Sequence, residues 1–177
     1  MKLIRQADYR VMPWKNGGGI TTEIHVSPPC TSPFDWRVSM AQVETDGPFS
    51  TFTGYDRHIM VLAGNGMSLD FVGGDSVVLE PLKPFSFSGD AVITGRLLQG
   101  AVVDFNLIIN RRFGAGTLTS CKTTGTYDVE GGPGLTVVHI LNGSSILLDE
   151  HEKATFTAGQ TLVISRVTPR LRRAPDT

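Results

Sequence analysis

Short stretches of alternating apolar and polar residues, separated by turns rich in glycine and proline, fill most of this chain. Alternation at a period of two is typical of strands with one buried face. Residues 34–43 give the clearest case, with Trp36 and Val38 on one face of the predicted strand. Arg37 and Ser39 lie on the other face. Twenty glycines and ten prolines punctuate the chain, so we expect an all-β fold with many turns.

A second predicted strand, residues 101–109, is apolar apart from Asp104 and Asn106. Positions i and i+2 of a strand face the same side, so these two polar side chains share a face. Buried polar groups must be hydrogen-bonded. The lining of a polar cavity would satisfy both of them.

The stretch Pro-Trp-Lys-Asn-Gly-Gly-Gly at residues 13–19 is unusual, because a glycine run costs conformational entropy and usually has a local reason. One such reason is a backbone that passes close to something that a Cβ would block. A phosphate-binding loop is excluded, since Lys15 precedes the glycines and a predicted strand, residues 20–26, follows them. The alternative is a plain glycine turn between strands with Lys15 in solvent.

Two local patterns in the middle of the chain carry further expectations. Residues 63–66, Ala-Gly-Asn-Gly, predict a hairpin turn. Asp56, Arg57 and His58 precede the apolar run 59–62, and this charged cluster is either functional or a surface ion pair between Asp56 and Arg57.

A sequence repeat indicates duplication. Residues 61–64 recur as residues 140–143, and Leu69-Asp70 recurs as Leu148-Asp149, always 79 residues apart. A strand, a glycine turn and a returning strand, present twice, are typical of a duplicated β-barrel.

Composition and charge exclude several classes of protein. The 177 residues carry sixteen basic and seventeen acidic side chains, a net charge of −1 that recruits neither nucleic acid nor an anionic membrane. No apolar run approaches a membrane span, and no signal peptide is recognisable. Two distant cysteines, Cys30 and Cys121, argue against a disulfide framework, so we expect a cytoplasmic protein.

Nine blocks, in order along residues 1–112, resemble the HutD/Ves family of small cupin-like proteins. They are Pro-Trp-Lys-Asn-Gly-Gly-Gly (13–19), Thr-Thr-Glu-Ile (21–24), Trp-Arg-Val-Ser-Met-Ala (36–41), Asp-Gly-Pro-Phe-Ser (46–50), Gly-Tyr-Asp-Arg (54–57), Gly-Asn-Gly-Met (64–67), Pro-Phe-Ser-Phe-Ser-Gly-Asp (84–90), Asp-Phe-Asn (104–106) and Arg-Arg (111–112). The resemblance implies a duplicated cupin, or RmlC-like jelly roll, as one bicupin unit over residues 1–177. Its approximate halves are residues 1–112 and 113–177, with strand exchange between them.

Neither a metal site nor a cofactor is expected. The four histidines form no His-x-His pair, which the metal sites of cupins typically contain. Neither cysteine has a base close by in the sequence, so cysteine nucleophile chemistry is not expected. We therefore predict no catalytic residue, although some cupin-like sugar epimerases use a His–Asp pair and His58 lies two residues from Asp56. A metal-free enzyme that acts on a small acyl or sugar substrate by acid–base chemistry stays the alternative.

The remaining polar residues predict a binding site for a small anionic metabolite, such as a carboxylate with an amide or formyl group. Lys15 and Arg37 would bind the anion. Asn16, Asp104 and Asn106 would orient it. Asp56 and Arg57 would support these contacts, and the indole of Trp14 would form a flat wall.

The resemblance adds a biological role to this site. The HutD side of the family is associated with histidine utilisation genes, which implies a ligand such as urocanate or formylglutamate and a regulatory function. The Ves side is linked to cold and stress responses, without a settled activity. A purely structural module is a third hypothesis, and an exposed sheet edge would allow a homodimer.

Overall fold

The computed structural model describes residues 1–29, 32–122, 126–128, 134–148, 153–165 and 170–173. The chain divides into two compact units. We call Arg10–Ser120 the central unit, and Met1–Tyr9 together with Cys121–Thr177 the terminal unit. Among the described residues, no helix has the length and apolar character that crossing a bilayer requires.

Strands form nearly all of the regular structure, which confirms the predicted all-β class. A 3-10 turn at Gln6–Asp8 interrupts them. In chain order the strands are β1 (Lys2–Ile4), β2 (Arg10–Pro13), β3 (Gly19–Ser27), β4 (Trp36–Val43), β5 (Gly47–Pro48), β6 (Tyr55–Ala63), β7 (Met67–Phe71), β8 (Ser76–Leu79), β9 (Phe85–Ser88), β10 (Ile93–Leu97), β11 (Val102–Asn110), β12 (Thr126–Asp128), β13 (Leu135–His139), β14 (Ser144–Leu148), β15 (Lys153–Thr157), β16 (Thr161–Ser165) and β17 (Arg170–Arg173).

The central unit consists of two antiparallel sheets. One has six strands in the order β2-β3-β4-β11-β6-β9, and the other has four in the order β5-β10-β7-β8. Ile59 and Val61 of the first sheet share a buried cluster with Met67 and Leu69 of the second. Burying each such side chain stabilises the fold by about 1.5–3 kcal/mol.

We call the face of the six-stranded sheet that carries Ile59 and Val61 its inner face. Strand register places Arg37, Ile108 and Arg57 in one row across β4, β11 and β6 on this face. The opposite face takes the alternate residues of the same strands. Neighbours in sequence therefore point to different sides, as strand geometry requires.

The terminal unit has its own sheets and core. One sheet has the order β1-β16-β13, and the other has the order β12-β17-β14-β15. Phe156, Leu162 and Ile164 are buried together, with Leu3 and Val138 packed against them. The first strand of the chain thus pairs with a late one, through Leu3 opposite Leu162.

The hairpin predicted at residues 63–66 is wrong. β6 ends at Ala63 in the six-stranded sheet, whereas β7 belongs to the four-stranded sheet and pairs with β8 and β10. Gly64 and Gly66 both have a φ of +96°, a conformation that glycine adopts without steric cost. The turn carries the chain from one sheet to the other rather than back along the same sheet.

The same order of strand pairing occurs twice along the chain, in the region of the predicted sequence repeat. In the central unit β6 pairs with β9, and β7 pairs with β8 and β10. In the terminal unit β13 pairs with β16, and β14 pairs with β15 and β17. Asp149 of the sequence repeat, Cys30 and His151 lie outside the described residues.

Candidate functional site

Arg57 on β6 is buried in the central unit with only 6% of its surface exposed. Its Nη1 donates a 3.0 Å hydrogen bond to the Ser50 carbonyl oxygen, and its Nη2 donates a 2.9 Å bond to Asn106 Oδ1. Its Nε is buried without an acceptor among the described residues. One donor of this buried guanidinium is therefore left unsatisfied by the described residues.

Asn106 connects Arg57 to Asp104. Its Oδ1 accepts from Arg57, and its Nδ2 donates to Asp104 Oδ1. The predicted common face of Asp104 and Asn106 is thus confirmed. Asp104 is 1% exposed, and burial raises the pKa of its carboxyl to about 7, although Arg57 and the bond from Asn106 oppose the shift.

Arg37 on β4 lies in the same cross-strand row as Arg57 and contacts the same aromatic ring. Its Cζ is 5.1 Å from the centroid of the Phe52 ring, and Cζ of Arg57 is 5.4 Å from that centroid. Each such cation–π contact stabilises by about 0.5–2 kcal/mol. Arg37 Nε is buried, and no described residue accepts a hydrogen bond from it.

These four residues, Arg37, Arg57, Asp104 and Asn106, form what we call the arginine cluster. Burial lowers the pKa of Arg57 to about 10, while Asp104 opposes this and Arg37 adds to it. Burial also lowers the pKa of Arg37, and Glu23 on the neighbouring strand opposes that shift. Both guanidinium groups stay charged at neutral pH, because arginine does not lose its proton in proteins. No ion pair within the described part of the chain joins either arginine to a carboxylate.

The predicted residues of the glycine stretch are Trp14, Lys15 and Asn16. Lys15 and Asn16 are exposed, and Asn16 Oδ1 accepts a 3.1 Å bond from the Gly18 amide. Trp14 is half-buried, packs against the core and donates from Nε1 to Thr21 Oγ1 at 2.8 Å. Within the described residues, no hydrogen bond or ion pair joins these three to the cluster.

The glycines serve the fold itself. Gly17 has a φ of +71°, in the left-handed region that favours glycine. A Cβ on Gly18 would lie 2.6 Å from Thr45 Oγ1, and one on Gly19 would overlap the Gln42 carbonyl oxygen and lie 3.0 Å from the Trp14 ring. The close approach that the sequence predicts is therefore made to the protein's own strand and indole.

Asp56 lies on the opposite face of β6 from Arg57. Its Oδ1 pairs with Arg111 Nε at 2.7 Å, with 42% of the Asp56 side chain exposed. The interpretation of Asp56 and Arg57 as a surface ion pair is wrong, because adjacent residues of a strand point to opposite faces.

Two sets of contacts near these residues were not predicted from the sequence. The rings of Phe49, Phe52 and Phe87 surround the Arg57 guanidinium at 5.0–5.4 Å. His58 is buried, and its Nδ1 lies 2.7 Å from Ser86 Oγ. Alternation predicts which face a side chain takes, but not which strand pairs with it. Within the described residues, no three His, Cys, Asp or Glu side chains are placed to hold a metal ion.

Comparison with known sequences gives a consistent picture. The sequence model of a family described as HutD matches residues 6–175. An uncharacterized 21.2 kDa protein in the hutC 3' region of Pseudomonas putida is 50% identical over 109 residues, which cover 61% of this chain and 57% of that relative. Protein Ves of Citrobacter koseri is 36% identical over 148 residues, covering 81% of this chain and 75% of Ves.

Comparison with solved structures shows the same relationship in three dimensions. A conserved protein of unknown function from Pseudomonas aeruginosa PAO1 matches with a TM-score of 0.90 and 33% identity over 97% of this chain and 92% of its own. HutD from Pseudomonas fluorescens SBW25, in a formate condition, matches with a TM-score of 0.65 and 29% identity over 97% and 96%. A cupin 2 conserved barrel domain protein from Leptotrichia buccalis, 9% identical with a TM-score of 0.56 over 92% and 86%, shows the cupin-like fold.

Proposed function

This chain belongs to the HutD family, and we propose that the arginine cluster of its central unit binds the carboxylate of a small metabolite. The observation that carries the proposal is the pair of buried Nε atoms on Arg37 and Arg57, which have no acceptor among the described residues. An unpaired buried donor costs about 1–3 kcal/mol, and an anionic acceptor would remove that cost.

The chemistry of a carboxylate suits both arginines. Its two oxygens offer about four acceptor positions, and charge-assisted hydrogen bonds to guanidinium are roughly twice as strong as neutral ones. Both guanidinium groups contact the ring of Phe52, and this shared contact helps to fix their orientation. Asn106 and Asp104 would then orient the ligand through their remaining hydrogen-bonding capacity.

The family relationship favours a metabolite of histidine utilisation. The family carries the HutD name, a relative is located beside hutC, and a related HutD structure was determined in a formate condition. We infer a regulatory binding protein for a carboxylate such as urocanate or formylglutamate. Trp14, Lys15, Asn16 and Asp56 stay predicted contributors whose part in binding is open to experiment.

One observation favours the alternative of an acid–base enzyme. The carboxyl of Asp104 is buried and has its pKa raised to about 7, the range in which a general acid or base is most effective. Turnover of a bound acyl or sugar compound, lost in Asp104→Asn, would support this second function. Binding without turnover would support the first.

Calorimetric titration of formate, urocanate and formylglutamate into the whole protein tests the proposal. Arg37→Gln should weaken carboxylate binding at least tenfold, whereas Arg112→Gln, which changes an exposed arginine of the same unit, should leave it unchanged. Lys15→Gln tests the glycine stretch in the same titrations. Thermal melts would show that each variant is folded. Equal affinities in wild type and Arg37→Gln would contradict the proposal, as would the absence of binding by all three compounds.

A further inference from the structure

The arginine cluster is closed around the two donors that a carboxylate would need. Arg57 is 6% exposed, whereas Arg37 is half-buried. The Nε atoms of both side chains are buried and have no acceptor among the described residues. Neither atom can contact an anion from solvent unless a neighbouring side chain moves. Binding at this site therefore requires a movement, and the contacts of the cluster indicate which side chain makes it.

Phe52 covers both arginines. The centroid of its ring is 5.1 Å from Arg37 Cζ and 5.4 Å from Arg57 Cζ. Phe52 itself is half-buried, and its neighbours Thr51 and Thr53 are exposed. The loop that carries this ring thus lies at the surface of the central unit, while the ring contacts the buried guanidinium groups. A turn of the ring towards solvent would uncover both cations at once.

The backbone of Phe52 is held in place, so the movement falls to its side chain. The Phe52 amide donates a 2.7 Å hydrogen bond to the Gly89 carbonyl oxygen, and the Phe52 carbonyl oxygen accepts a 3.1 Å bond from the Tyr55 amide. A Cβ on Gly89 would lie 2.5 Å from the Phe52 carbonyl oxygen, which shows how closely the two backbones approach. The ring meets Phe34 and Tyr55 edge to face, with centroids 6.3 and 6.2 Å away. Rotation between side-chain rotamers moves the ring without breaking the backbone hydrogen bonds.

We propose that Phe52 is the gate of the arginine cluster, a ring that covers Arg37 and Arg57 and turns outward when a carboxylate binds them. This inference rests on the proposed function, because it concerns entry to the same site. The ring holds the two cations through cation–π contacts until the carboxylate, which forms charge-assisted hydrogen bonds, replaces it. Ring and ligand therefore compete, and the closed conformation weakens the apparent affinity according to the fraction of molecules that are open.

A gate and a fixed wall make opposite predictions for Phe52→Ala. If the ring is a gate, its removal ends the competition and carboxylates bind more tightly. If the ring is a fixed wall, its removal loosens the arginines and carboxylates bind more weakly. In calorimetric titrations of formate, urocanate and formylglutamate into the whole protein, each compound that binds should gain affinity by about threefold or more in Phe52→Ala. Phe113→Ala, which removes a 53% exposed ring of the same unit, should leave the Kd unchanged.

A fluorine label follows the ring itself in a protein with the wild-type loop. With 4-fluorophenylalanine in place of Phe52, the ¹⁹F resonance should shift on saturation with the carboxylate. It should move towards the resonance of the same label in place of Phe113, which reports an exposed ring. Equal or weaker binding by Phe52→Ala, or an unmoved resonance at saturation, would overturn the gate and leave the proposed function standing. Absence of carboxylate binding by both the wild type and Phe52→Ala would overturn the two together.

Discussion

Arg57 and Asp104 are linked through an amide rather than by a direct ion pair. Arg57 Nη2 donates to Asn106 Oδ1 at 2.9 Å, and Nδ2 of the same Asn106 donates to Asp104 Oδ1. Since a guanidinium only donates and a carboxylate only accepts, this is the amide orientation that satisfies both neighbours. Asn106 thus holds two buried ionisable groups in place with a single side chain.

Replacing Asn106 with leucine should strongly destabilise the protein. The volume is nearly conserved, but both Arg57 and Asp104 lose a buried hydrogen-bond partner, at a cost of about 3 kcal/mol. Urea unfolding measures the change. Asn65→Ala is the matched control, because Asn65 is exposed and donates a 3.2 Å bond to the Gln99 carbonyl oxygen. If Asn106→Leu loses no more free energy of unfolding than this control, the role of Asn106 as a bridge between Arg57 and Asp104 is contradicted.

Asp104 should make stability depend on pH in a definite direction. Because burial raises the pKa of its carboxyl from 3.8 to about 7, folding favours the protonated form. The contribution is fully present below about pH 4 and is lost as the pH rises through 7. Relative to Asp104→Asn, the wild type should therefore lose free energy of unfolding between pH 5 and pH 8. Urea unfolding across this range tests the sign, and a constant difference would show that Asp104 is not buried in this way.

Strand parity predicted much of the arginine cluster but not its partners. The common face of Asp104 and Asn106 follows from a period of two alone, as does the separation of Arg37 from Trp36 and Val38. The Phe52 ring could not be found in this way, since it reaches Arg37 and Arg57 through a loop. His58 and Ser86 likewise meet only because β6 pairs with β9. No local pattern encodes a pairing over 28 residues.

The glycine residues show the other limit of sequence reasoning. A close backbone approach was predicted at residues 17–19, and the approach exists, but its object is Trp14 and the Gln42 backbone. At residues 63–66 the same residue types predicted a hairpin, whereas Gly64 carries the chain between sheets. A glycine in the sequence indicates that the backbone needs either space without a Cβ or a positive φ. The tertiary structure determines which of the two applies and what the backbone contacts there.

Alanine substitutions should distinguish a glycine that is needed for space from one that is needed for a positive φ. Gly19→Ala should destabilise by about 1–3 kcal/mol, because its Cβ would overlap Gln42 and the Trp14 ring. Gly17→Ala should cost about 1–2 kcal/mol, since alanine is strained at a φ of +71°. Gly114→Ala is the control, because it has open space around it and no left-handed φ. Equal denaturation midpoints for Gly19→Ala and the control would contradict this account.

The terminal unit contains a chain of hydrogen bonds with a fixed direction. Tyr9 Oη donates its one hydrogen to the Gly159 carbonyl oxygen at 2.7 Å. Thr161 Oγ1, 2.9 Å from Tyr9 Oη, must then donate to it and accept from His139 Nδ1 at 2.8 Å. His139 is therefore the Nδ1–H tautomer, and burial lowers the pKa of its ring to about 4.

Thr161→Val should break this chain without changing the shape of the side chain. Thr161 is fully buried, and the half-buried Tyr9 and His139 lose this partner, at a cost of about 1–3 kcal/mol. Thr155→Val, at an exposed position of β15, should change stability by less than about 0.5 kcal/mol. Chemical denaturation compares the two variants. Ring ¹⁵N spectra of the wild type check the tautomer directly, and a proton on Nε2 of neutral His139 would contradict the assigned direction.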